Sequence, residues 1–213
     1  MKMTGHRQVG RTVLWTLMAC GLLAMPAAGQ AGAEIPLGTA MPMADASLAR
    51  AQGGQATLSS LAGQQGTAVI FWSNQCPWVE RAEGRMMDLA ETYSGQGISF
   101  VLINSNDAEA YPQESAAESA SRMDAGGYPS DVAYISDPTS QVARAFGAER
   151  TPHVYLFDAN GVLAYVGTID DSPGDPANVQ EQYLRSALEA VAGGSNVAVP
   201  QTKAFGCTIK FNG

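Results

Sequence analysis

Two apolar runs separated by one amphipathic stretch constrain most of what this chain can become. Residues 68–72 read AVIFW and residues 97–104 read GISFVLIN, both rich enough in β-branched and aromatic side chains for buried strands. Between them Val79, Met86 or Met87, Leu89 and Ala90 recur at roughly helical spacing. Strand, helix and strand in that order make a βαβ unit, with parallel strands and a right-handed crossover expected.

The join between the first strand and the helix carries the chemistry. Ser73-Asn74-Gln75 lead into Cys76 and Pro77, which the pattern puts in the helix's first turn. Proline suits that place because its missing N–H would have had no partner inside the helix. A thiol there meets unpaired backbone N–H groups and the positive end of the helix dipole, which favour thiolate over thiol. The thiolate is the nucleophile. The alternative is an inert cysteine packed as a small hydrophobe.

With 213 residues, 46% of them hydrophobic and 15% charged, the chain has material for one medium domain and a sizeable core. Residues 1–33 stand apart. Lys2, Arg7 and Arg11 precede an apolar run at 13–25, and Ala31-Gly32-Ala33 offers small residues before Glu34, the layout of a secretory signal peptide. A retained membrane anchor is the alternative, but the run is short and interrupted by Gly21 and Pro26. Leu17-Met18-Ala19-Cys20 also looks like a bacterial lipoprotein box, so membrane attachment is expected only through a lipidated Cys20.

Cleavage after Ala33 leaves nine Lys and Arg against twenty Asp and Glu, a formal charge of about −11. That acidity, without a basic patch, argues against nucleic acid as a partner. It also leaves two cysteines, Cys76 and Cys207, which an oxidising exported compartment could join in one disulfide, structural or transient.

Along the rest of the chain, residues 34–54 read as an irregular lead-in, 55–58 as a short strand and 58–62 as a helical turn. A helix is expected at 114–123, a strand at 132–135, and a short helix at 140–146 stopped by Gly147. Residues 153–158 and 163–168 alternate around Asn160-Gly161, a strong hairpin signal. Residues 170–176 read as a solvated acidic loop and 179–191 as an amphipathic helix. There is no internal repeat and no second hydrophobic unit. One α/β domain over residues 55–193 is therefore expected, its central mixed sheet flanked by helices, followed by a tail at 194–213 long enough to lie back across it.

Phe71-Trp72-Ser73-Asn74-Gln75-Cys76-Pro77, followed far along by Arg150-Thr151-Pro152 before the hairpin, resembles the thioredoxin-like superfamily. Within it, the redoxin branch of alkyl hydroperoxide reductase and thiol-specific antioxidant proteins looks most similar. The resemblance implies a three-layer α/β/α fold, with Cys76 as the attacking cysteine and Thr151 and a cis Pro152 facing it. The terminal Gly206-Cys207-Thr208-Ile209-Lys210 is similar to a group of secreted or periplasmic redoxin-like proteins with a Gly-Cys-x-Ile-Lys segment.

Departures from those families matter as much. The second cysteine of a dithiol oxidoreductase, three residues after the first, is here Val79. The proline and threonine that a peroxiredoxin carries seven and three residues before its peroxidatic cysteine are here Val69 and Ser73. The serine could keep the hydroxyl contact to peroxide.

Three functions stay open on this reading. The first is a thiol oxidoreductase of the cell envelope, periplasmic or secreted. In it Cys76 attacks a disulfide or a peroxide, Cys207 or an outside thiol resolves the product, and a thiol or disulfide protein serves as the electron partner. The second is a non-catalytic peptide-binding module with a structural disulfide, and the third a copper carrier. His153 is the only histidine after cleavage, and it reads as a packed or solvated strand residue rather than a ligand. No metal site and no cofactor are expected. Catalytic positions are assigned to Cys76, Cys207, Pro152, Thr151 and Ser73, with Cys207 expected within bonding distance of Cys76 in at least one redox state.

Overall fold

Strand β3 (Gly66–Trp72) is buried at every residue, and the fold is built outward from it. It pairs in parallel with β4 (Ile98–Asn104) and antiparallel with β7 (His153–Asp158). Between β3 and β4 runs helix α1 (Pro77–Ser94), completing the expected βαβ unit. The computed structural model describes residues 1–2 and 32–213. Cys20 and most of the expected leader lie outside the described residues.

The remaining strands extend the sheet on both sides. β1 (Leu48–Arg50), β2 (Gln55–Ala56) and β5 (Val132–Ser136) lie beyond β4, and β8 (Leu163–Gly167) lies beyond β7, giving the order β2-β1-β5-β4-β3-β7-β8. A separate two-stranded ribbon joins β6 (Arg150–Thr151) to β9 (Cys207–Thr208). The architecture is the expected three-layer α/β/α fold with a central mixed sheet.

Because alternate strand side chains point to opposite faces, the sheet has two cores. Ala68, Ile70 and Trp72 share one with Val79, Met86 and Leu89 of α1, Met123 of α2 (Ala116–Gly126), and Leu184 and Leu188 of α4 (Tyr183–Ala192). Val69 and Phe71 point the other way, among Tyr155, Phe157, and Val142 and Phe146 of α3 (Gln141–Phe146). Ile35, Met41 and Met43 of the lead-in and Ile209 and Phe211 of the tail close this second core. Among the described residues no helix is long and apolar enough to cross a membrane.

Four local expectations need correction. The lead-in is not wholly irregular: Leu48–Arg50 forms β1 against both β2 and β5. The helix expected from residue 114 begins at Ala116, because the Ser115 side chain accepts the Glu118 N–H as its N-cap. Glu114 falls instead in a one-turn 3₁₀ segment, Pro112–Glu114. Residues 179–182 stay outside α4, because the Asp171 carboxylate takes the Gln180 and Glu181 N–H groups at 3.0 and 3.1 Å. The acidic loop is not wholly solvated either, since Asp170 is buried and meets Arg85 at 2.7 Å.

Candidate active site

Cys76 caps the N-terminus of α1 in an extended conformation, with Pro77 directly after it. Its carbonyl takes the Glu80 N–H at 3.1 Å, so the helix ladder begins at the cysteine itself. The side chain is only 4% exposed, and its thiol donates to the Thr151 carbonyl oxygen at 3.1 Å. The Thr151–Pro152 peptide is cis, as the resemblance implied. Immediately afterwards His153 pairs with Phe71 of β3, which carries the Thr151–Pro152 corner to the end of the strand that leads into Cys76.

Cys207 arrives from the far end of the chain. In the β6–β9 ribbon Thr151 stands opposite Cys207 and Arg150 opposite Thr208. Gly206 enters with φ +152°, and a Cβ there would lie 2.0 Å from the Thr151 oxygen, so only glycine permits this approach. The tail beyond is fixed at successive residues. Ile209 N–H donates to the Glu149 oxygen at 2.9 Å, Asp107 N–H to the Lys210 oxygen at 2.7 Å, and Lys210 N–H to Asn106 Oδ1 at 2.9 Å. Ile209 is buried, and Phe205 packs edge-on against Trp78 with ring centroids 4.7 Å apart.

Both cysteines are free thiols, and Cys207 stands opposite Thr151, whose carbonyl accepts the Cys76 thiol. Burial first, then that neighbouring sulfur, push the Cys207 thiol up to about 11, while the backbone N–H of Trp78 acts in the opposite direction. Cys207 is therefore more fully protonated than an ordinary cysteine at the same pH. Since the fold raises this acid's pKa, the associated stabilisation is whole below the ordinary thiol range and is lost as pH climbs through about 11. In reduced protein at pH 8, iodoacetamide is expected to modify Cys207 at least about tenfold more slowly than free cysteine. A rate equal to that of free cysteine, read by mass spectrometry, would remove this difference from an ordinary thiol.

The loop before Cys76 is held by a residue that the sequence reading missed. Buried Glu114 accepts Ser73 Oγ at 2.6 Å, Asn74 N–H at 2.8 Å, Gln75 N–H at 3.3 Å and Asn104 Nδ2 at 2.8 Å. Ser73 thus directs its only hydroxyl proton at Glu114 and accepts Gln75 N–H at 3.1 Å. It braces the loop, and its proton is not free for a peroxide. The signal for Glu114 was slight: one carboxylate just ahead of a serine N-cap in Tyr111-Pro112-Gln113-Glu114-Ser115.

Two more carboxylates brace the surroundings. Glu83 chelates Arg122 at 2.9 and 3.0 Å and accepts the Tyr128 hydroxyl, while Arg122 Nη1 donates to the Asn74 carbonyl at 2.9 Å. Burial, and then the bond to Glu83, push Tyr128 up to about 12. His153 is buried, with Nε2 3.0 Å from Glu34; this contact holds the Glu34 carboxyl below its usual range, against the effect of its own burial. Among the described residues no group of three His, Cys, Asp or Glu side chains is placed to hold a metal.

Comparison with known proteins bears on this geometry. No curated protein matches the chain. A hypothetical protein of Sinorhizobium meliloti 1021 is 35% identical, with a TM-score of 0.77 over 86% of this chain and 99% of its own. An uncharacterized conserved protein of Geobacillus kaustophilus is also 35% identical, with a TM-score of 0.77 over 83% of this chain and 93% of its own. A peroxidoxin of Mycobacterium tuberculosis shares the fold at 16% identity, with a TM-score of 0.57 over 75% of this chain and 98% of its own. The model of the AhpC/TSA family matches residues 38–166, a span that takes in Cys76, Glu114 and the Thr151–Pro152 corner, and so this chain belongs to the AhpC/TSA family.

Proposed function

We propose that this protein is a two-cysteine thiol oxidoreductase of an exported compartment. Cys76 is its nucleophile, Cys207 its resolving thiol, and a peroxide or a disulfide its substrate. The observation that carries the reading is the register of the β6–β9 ribbon, which sets Cys207 opposite Thr151, the residue whose carbonyl accepts the Cys76 thiol. With a peroxide, the Cys76 thiolate attacks one oxygen, the O–O bond breaks, and the second oxygen leaves as alkoxide or hydroxide to take up a proton. Cys76 is then a sulfenic acid, and the Cys207 sulfur displaces its hydroxyl as water, forming the Cys76–Cys207 disulfide. With a disulfide, Cys76 forms a mixed disulfide that Cys207 resolves by releasing the second thiol. Either way the enzyme has given up two electrons, and an outside dithiol protein restores them.

The setting follows the leader-like layout of residues 1–33. The test starts from reduced protein given one equivalent of hydrogen peroxide or of a small disulfide. Non-reducing peptide mapping is expected to find a Cys76–Cys207 peptide, and a supplied dithiol is expected to be consumed catalytically. Absence of both the cross-linked peptide and thiol turnover would overturn the proposal and leave a peptide-binding module with this fold.

A further inference from the structure

The β6–β9 ribbon is a local pairing of two-residue strands separate from the main sheet, and it lies directly over the nucleophile. The edge of β6 offers a sulfur on an extended polypeptide a route to Cys76, because Cys76 is nearly buried and its thiol bonds to Thr151 of that strand. A strand added to that edge gains main-chain hydrogen bonds, and its cysteine must stand opposite Thr151. That position is already filled. Cys207 stands there, Gly206 passes the Thr151 oxygen where no Cβ fits, and Phe205 covers Trp78.

We propose that the segment from Phe205 to Ile209 is the chain's own occupant of a polypeptide-docking edge. Cys207 takes the place of a substrate cysteine, and with the tail seated Cys76 is open to small oxidants but closed to cysteines on polypeptides. This rests on Cys76 being the nucleophile and narrows the substrate class. When the tail lifts, the edge accepts an extended polypeptide whose cysteine follows a glycine, since any other residue meets the Thr151 oxygen. Ile209, buried and held by Glu149, together with Lys210, held by Asn106 and Asp107, keeps the tail in place.

The test uses the full chain with Cys207→Ser, which keeps the tail but prevents the internal disulfide. Two probes present the same leaving group. One is the peptide Ala-Phe-Gly-Cys-Thr-Ile-Lys with its cysteine as a mixed disulfide with 5-thio-2-nitrobenzoate; the other is the small symmetrical disulfide of that reagent. In each case the Cys76 thiolate attacks, the sulfur–sulfur bond breaks, and 5-thio-2-nitrobenzoate leaves. The Cys76 adduct is counted by mass spectrometry, and the rate with the peptide is divided by the rate with the small disulfide.

Gly206→Val and Ile209→Asp, each added to Cys207→Ser, unseat the tail by different means. Gly206→Val leaves the buried Ile209 side chain unaltered, so that chain retains its core. The ratio is expected to rise at least about tenfold in both variants, and to fall back when valine replaces the glycine of the peptide. Ratios equal across the three chains, with the small disulfide reacting normally, overturn this inference alone. No Cys76 adduct with either probe in any chain overturns it together with the proposed function.

Discussion

Cys76→Ser is expected to reduce thiol-dependent turnover of peroxide or small disulfide at least about 10³-fold, equivalent to more than about 4 kcal/mol of barrier. Among the described residues the other thiol, Cys207, is poorly placed to replace Cys76. Burial and the neighbouring sulfur raise the pKa of Cys207, which stands on a β-ribbon rather than at a helix N-terminus. Serine at position 76 would keep the N-cap geometry and the donor to Thr151, but an un-ionised hydroxyl is a far weaker nucleophile than a thiolate. Cys207→Ser should give a different pattern. The first equivalent of oxidant would still be consumed, and the product would stop at the sulfenic acid or mixed disulfide until an outside thiol removed it. Turnover of the Cys76→Ser protein above a tenth of wild type, followed by thiol consumption, would reassign the nucleophile.

Glu114→Ala should have the largest effect on stability of any single change among the residues that brace the reactive loop, about 3–5 kcal/mol. The carboxylate gathers four donors from the Cys76 loop and the end of β4, and three of the residues supplying them are buried. Alanine leaves those donors facing an apolar void. Leaving a buried donor unmade costs more than forming the bond gained. Glu114→Gln is expected to lose less, because one amide oxygen still accepts, although its NH₂ then faces other donors. Urea unfolding midpoints of reduced protein measure both variants. A loss under about 1 kcal/mol for alanine would mean that water satisfies the loop in place of Glu114.

The centre of the fold was legible because its signals are local. The β3–α1–β4 unit follows from consecutive apolar periods, and the β7–β8 hairpin from alternation around Asn160-Gly161. Cys76 at a strand-to-helix join could be read for the same reason. What escaped depends on partners distant in sequence. β1 is an edge-adding strand only because β5 offers it Ile135 and Ser136. Asp170 is buried only because Arg85 of α1 reaches it. Glu114 matters through residues 10 to 41 positions away, and no periodicity marks it. The approach of Cys207 to Cys76 was expected from cysteine count, the missing local partner at Val79 and the resemblance carried by Gly206-Cys207-Thr208-Ile209-Lys210. Its register opposite Thr151 was not, since that register is set by tail contacts with Asn106, Asp107 and Glu149. Ser73 was assigned to substrate from its place in the motif, whereas its proton points to Glu114.

The connection that leaves β4 carries two anchors at once. Asn106 and Asp107 near its start hold the tail strand at Lys210, and Glu114 at its end holds the loop before Cys76. The spacing of the two sulfurs is therefore gauged by one short span of backbone with Tyr111 and Pro112 in its middle. Inserting or deleting a single residue there would move one anchor against the other and detune the pair without touching either cysteine. In chains of this design, the residues between the two anchors should tolerate changes of side chain far more readily than changes of length.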